Sequence, residues 1–186
     1  MTTSGGSSTE TTLEKTTTTG AAAAVDALLT LDDMPTGWTT APELLEDQED
    51  AGECTFNLDL PEDDSARAAF KEGDLGPFVL SSVGRFVNAD AAAGYVDEIQ
   101  AFIDRCQSST EDGVATALSP LSFPALGDES LAFRITIDDP EAVPVEGNVV
   151  VIRRGEAASL VGLLTTFSSP DAALTEELAV AAADRL

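Results

Sequence analysis

The stretch from Asn88 to Cys106, NADAAAGYVDEIQAFIDRC, limits the possible folds more than any other part of the chain. Ala92, Tyr95, Val96, Ile99, Phe102, Ile103 and Cys106 recur at three- and four-residue steps. On a helix these residues share one face, which has to find a core. Asn88 predicts an N-cap, because its side-chain oxygen can accept from an otherwise unpaired amide. Asp90 falls in the first turn, where the helix dipole favours a negative charge. The helix ends on one of only two cysteines. If Cys106 points inward, the one sulfur it can meet is that of Cys54.

Two cysteines in a chain with no histidine do not make a zinc site, which takes four ligands. A disulfide between Cys54 and Cys106 is the better reading, with two buried thiols as the alternative. An oxidised pair implies an export compartment.

The 186 residues, 43% of them hydrophobic, are enough to bury one core, and no second compositional block divides them. The expected organisation is a Thr, Ser and Gly-rich tether over residues 1–20, too polar to order itself, followed by a single domain over residues 21–186. No run approaches the roughly 20 apolar residues that cross a bilayer. No apolar signal segment follows a basic start. Acidic side chains number 34 against 9 Lys and Arg, for a net charge of -25. Such a surface repels phosphate backbones and anionic headgroups, which excludes nucleic acid as a favoured partner.

Along the chain, AAAAVDALLTLDDMPTGW predicts a short N-terminal helix using Val25, Leu28 and Leu29, then a turn at Pro35–Gly37. Trp38 is expected to anchor this segment in the core rather than stack on a ligand. An acidic run from Glu43 to Glu53 lacks the spacing of a calcium loop and reads as solvated. It leads into CTFNLDL, where Cys54, Phe56, Leu58 and Leu60 alternate as a strand with one buried side.

SARAAF and GPFVLSSVGRFV predict two strands joined by a turn at Gly73–Pro77. After the central helix come a polar loop at Gln107–Gly113 and an irregular strand interrupted by Pro120, expected at an edge. ESLAFRITID alternates cleanly. NVVVIRRGEAASLVGLLTTF reads as a hairpin turning near Arg154, Gly155 and Glu156. Its second arm is apolar on both sides and is therefore expected at the sheet centre with a helix on one side. Ser169 can cap a last helix with Leu174, Leu178 and Ala181 or Ala182 facing inward. Hairpins without βαβ alternation predict an α+β domain: a largely antiparallel sheet, two longer helices packed on it, one short N-terminal helix and one disulfide.

The absence of histidine removes the usual base of serine or cysteine triads, and no glycine-rich phosphate loop occurs. No cofactor is implied. Asp128 and Glu129 in LGDES are the first carboxylate pair to weigh for a hydrolase, against a plain role in turn and strand entry. Arginine is scarce and so more informative. Arg85, Arg134, Arg153 and Arg154 all fall on predicted strands, and guanidinium forks suit carboxylate, sulfate or phosphate. Arg85, Arg134 and Arg153 are the candidate ligand-binding residues, against pairing with the protein's own carboxylates.

The phrases LTLDDMPTGW, AFIDRC, FPALGDESLAFR and VVVIRRG, in that order, resemble actinobacterial extracytoplasmic sensor-type domains. These are similar to the ectodomain of the PknH receptor kinase and to related secreted or lipoprotein domains. The resemblance covers residues 21–186. It implies an α+β domain outside the membrane, held by a disulfide, with a cleft for a ligand and no enzymatic activity. The kinase-linked members tend to carry two disulfides, whereas this chain can form one. With no kinase domain or membrane helix, the chain resembles the free form, its Thr-rich leader acting as a spacer after a lipid anchor. The implied partner is a small molecule, lipid or envelope component; the other readings are a carboxylate-dependent hydrolase or a structural envelope protein that contacts another protein.

Overall fold

The computed structural model describes residues 23–45, 54, 60 and 64–186. The expected tether, the acidic run from Glu46 to Glu53 and the CTFNLDL strand lie outside these residues, apart from Cys54 and Leu60. Strands β1 (Thr39–Thr40), β2 (Asp64–Lys71), β3 (Phe78–Arg85), β4 (Ser108–Glu111), β5 (Val114–Pro120), β6 (Glu129–Asp138), β7 (Val145–Arg154) and β8 (Ala157–Thr166) accompany helices α1 (Ala89–Arg105) and α2 (Ala172–Arg185). The strands form one sheet in the order β1-β2-β3-β8-β7-β6-β5-β4, and every pairing is antiparallel.

Successive strand residues point to opposite faces, and that alternation sets the layers. Val149 and Val151 of β7, with Ala158 and Leu160 of β8, pack with Ala92, Tyr95, Val96 and Ile103 of α1. The residues between them, Val150, Ile152, Val161 and Leu163, pack with Leu178, Ala179 and Ala182 of α2. The helices therefore cover opposite faces, so β8 has a helix on each side rather than on one. This arrangement explains why VVVI and LVGLL are apolar at consecutive positions. Trp38 is buried on the α2 side with Met34, Phe70 and Val79.

Local chemistry sets the ends of α1. The Asn88 side chain accepts from the Ala91 amide at 2.8 Å, and Cys106 is the C-cap, its amide donating to the Phe102 carbonyl. Cys54 and Cys106 form a disulfide with a Cα–Cα distance of 5.5 Å across 52 positions.

The structure corrects several local expectations. In place of a short N-terminal helix there are 3-10 turns at Ala24–Ala27 and Leu31–Asp33. The first is one turn long, too short to offset helix nucleation. A reciprocal cap between Thr30 and Asp33 then restarts the chain. The polar loop expected at Gln107–Gly113 contains β4, whose Glu111 pairs with Val114. Asp112 and Gly113 between them have φ of 49° and 90°, the left-handed pair that a two-residue Asp-Gly hairpin requires. The cap of α2 is Asp171, accepting from the Ala173 and Leu174 amides, while Ser169 donates to a Glu146 carboxylate oxygen at 2.8 Å.

Candidate functional site

Strand parity sorts the arginines. Arg134 pairs with Asn148, Arg153 with Ala158, Arg154 with Ala157, and Arg85 with Ala157. Arg85, Arg134 and Arg154 thus share the α2 face of the sheet, and Arg153 stands on the α1 face. Arg85 ends β3, whereas Arg134 lies mid-β6 in the row that runs through Asn148 and Leu163 to Val79, six residues along β3 from Arg85, so the three expected ligand-binding residues do not converge on one point.

Arg153 is engaged by the protein's own carboxylates. Its Nε donates to Glu129 Oε2 at 3.1 Å, and its Nη1 lies 3.6 Å from Asp128 Oδ2. Asp128 also accepts from the Gly155 amide at 2.7 Å. The carboxylate pair weighed for hydrolysis therefore ties the entry of β6 to the β7–β8 turn. Gly127, at φ +63°, lies so close to the Arg153 carbonyl that a Cβ there would collide with backbone.

Arg134 has a different setting. It is half-buried, and its Nε donates to Asn148 Oδ1 at 3.2 Å. Asn148 Nδ2 donates to Thr175 Oγ1 of α2 at 3.2 Å, and Thr175 Oγ1 donates to the Asp171 carbonyl at 2.7 Å. Asn148 and Thr175 are each only 1% exposed. A buried neutral relay thus fixes the arginine from behind, and among the described residues no carboxylate neutralises it.

Beyond α2, the outward positions of β4, β5 and β6 are mostly small and polar, with the exposed Asp138 carboxylate at the end of β6 and Glu146 of β7 opposite Thr136. Ser108, Thr110, Ala117 and Ser119 are exposed, and Thr136 is half-exposed. On the other side of the same strands, Leu118, Phe133 and Ile135 are buried against α1. Arg134 is the one cation at the edge of this open shelf among the described residues. A planar guanidinium held by its Nε keeps its terminal nitrogens for a bidentate acceptor, which is the geometry that selects carboxylate, phosphate or sulfate.

Sequence reasoning named Arg134 but missed Asn148 and Thr175, which position it. A polar residue opening the apolar run NVVV was the available signal for Asn148; Thr175 carried none. On the opposite face, Tyr95 packs on Phe86 with ring centroids 5.4 Å apart. Burial, followed by the nearby Glu98 charge, pushes its phenol up to about 12.

Among the described residues no group of three or more His, Cys, Asp or Glu side chains is placed to hold a metal, and no helix is long and apolar enough to cross a membrane. The disulfide is compatible with an extracytoplasmic location. The chain matches no family model and no curated protein.

Proposed function

We propose that this chain is a non-enzymatic ligand-binding or sensing module of the cell envelope, similar to the PknH-like extracytoplasmic sensor domains. It lies outside the reducing cytosol, secreted or tethered through an N-terminal lipid anchor. Its ligand is a small molecule or envelope component bearing a carboxylate, phosphate or sulfate, taken on the shelf beside α2.

The observation that carries this reading is the setting of Arg134. In a protein of net charge -25, an arginine would be expected to collect a carboxylate; this one is held by Asn148 instead. Fixing a cation by neutral groups in advance lowers the ordering cost of binding and leaves its charge for an incoming anion. The surrounding Ser, Thr and Ala positions make a flat polar surface that can follow a ligand carrying hydroxyls.

The test is a thermal-shift screen of carboxylated, phosphorylated and sulfated small molecules at constant ionic strength, run on wild type and Arg134→Gln. The reading expects at least one compound to raise the wild-type Tm and to lose about tenfold or more in affinity in the variant, as removal of a charge-assisted hydrogen bond does. Equal shifts in both proteins for every hit would place binding elsewhere and refute the assignment.

A further inference from the structure

Arg134 has a charged neighbour of opposite sign on the same shelf. Glu146 of β7 pairs with Thr136, two residues along β6 from Arg134, and Arg134 pairs with Asn148, two residues along β7 from Glu146. The two are therefore diagonal neighbours on one face, with Cα atoms about 7–8 Å apart, a separation that long side chains can bridge. Both side chains are half-buried and open to the shelf. Yet neither forms an ion pair among the described residues.

Each charge is held by a neutral group instead. Arg134 Nε donates to Asn148 Oδ1, which is tied in turn to Thr175 of α2. Glu146 Oε2 accepts from Ser169 Oγ at 2.8 Å. The segment that carries Ser169 is itself fixed, because Thr165, the cross-strand partner of Glu146, donates to the Ser168 carbonyl. These bonds leave the terminal guanidinium nitrogens of Arg134 and Oε1 of Glu146 without a protein partner among the described residues. Asp138, exposed on the same face of β6, adds negative charge at the Glu146 end. The Asp171 carboxylate is engaged in capping α2.

We infer that the shelf takes a small zwitterion, a short molecule carrying an ammonium group as well as the acidic group assigned to Arg134. The inference rests on the Arg134 reading and narrows its ligand class. Arg134 receives the carboxylate or phosphate through its terminal nitrogens, and Glu146 Oε1 accepts from the ammonium. The ligand backbone crosses the Thr136 position between them. Two opposite charges held apart in advance form a fixed local dipole, and a ligand of matching polarity completes both without either side chain having to reorganise. The charge of the whole protein favours the same class. At a net charge of -25 the surface repels a net anion, whereas a zwitterion has no net charge to be repelled.

The experiment titrates the full chain at neutral pH and constant ionic strength with glycine, β-alanine, γ-aminobutyrate and phosphoethanolamine. Each is paired with its ammonium-free counterpart: acetate, propionate, butyrate and ethyl phosphate. Calorimetry gives the affinities, and two-dimensional NMR locates the shifts. At least one zwitterion should bind with saturable shifts at Thr136 and Glu146, about tenfold or more tightly than its counterpart. Glu146→Gln keeps an acceptor for Ser169, so the ligand-free Tm should hold while the advantage of the zwitterion disappears. Glu146→Lys should reverse the preference, the counterpart anion now binding more tightly than to wild type. No saturable binding by any zwitterion would overturn the inference. So would counterparts that bind as tightly as the zwitterions, or an advantage that survives in Glu146→Gln; if these anions still lose affinity in Arg134→Gln, the Arg134 reading stands alone. Zwitterion affinity unchanged in Arg134→Gln would overturn both.

Discussion

Removing the Cys54–Cys106 bond is the perturbation whose size follows most directly from the structure. The bond closes a loop of 52 positions. On the chain-entropy model, opening a loop of that length frees the unfolded state by about 4 kcal/mol. For a chain of this size each kcal/mol moves Tm by about 2–4 °C, so the Cys54→Ser/Cys106→Ser protein should melt about 8–16 °C lower. Cys106 is fully buried at the C-terminus of α1, so its serine adds a desolvated hydroxyl and pushes the shift toward the upper end. Paired calorimetric scans of oxidised protein, reduced protein and double variant measure the effect, and urea unfolding adds a second readout. An unfolded chain released from its cross-link exposes more surface, so the slope of stability against urea should rise along with the loss of stability. A variant that melts within about 2 °C of the oxidised protein, with an unchanged slope, would show that the bond does not restrain the unfolded chain, and the entropic reasoning would fail.

Two further predictions concern titration. Tyr95 is the only tyrosine, so phenolate absorbance reports it alone. Its folded value of about 12 lies above the ordinary 10.0, so its contribution to stability is complete below the unfolded value and is lost as pH rises through the folded one. The folded protein should show no phenolate step near the ordinary value and should ionise only at the higher pH or on unfolding; a normal step in folded protein refutes the burial argument. Asp33 is raised by burial but, on balance, lowered by hydrogen bonds from Arg185 and Thr30, with Arg185 Nη2 at 2.7 Å. A depressed carboxyl stabilises above its unfolded value and loses that contribution as pH falls through the folded one. Asp33→Asn should therefore cost about 1 kcal/mol at neutral pH and nothing measurable once both carboxyl forms are protonated. Equal losses at both pH values in urea titrations would contradict the ion-pair account.

What the sequence made legible was local. The face and cap of α1 lie within consecutive residues, and both were readable, as was the β7–β8 hairpin through its turn. The doubly apolar arm of β8 signalled a central strand. Which helix covers which face is decided by tertiary packing, and no local pattern reports it. Strand β4 was missed because Ser108–Glu111 is an edge with wet faces and no apolar alternation, although the Asp112-Gly113 turn signal was present. The same division applies to the site. Pairing of an arginine with the protein's own carboxylates was foreseeable and occurs at Arg153. The Asn148–Thr175 contact that positions Arg134 joins β7 to α2 across 27 residues, and neither residue type announces its partner. Ser81 and Ser159, whose buried hydroxyls have no hydrogen-bond partner among the described residues, are small residues in apolar strands, distinguishable from alanine only once their surroundings are known.

Native mass spectrometry of the protein purified from its own host, wild type beside Arg134→Gln, addresses the central claim of an anionic ligand held by a pre-positioned arginine. The account predicts a discrete bound mass of an acidic small molecule or lipid on the wild-type protein and its absence from the variant at equal folded yield. The same bound mass on both proteins, or no bound mass on either, would contradict it.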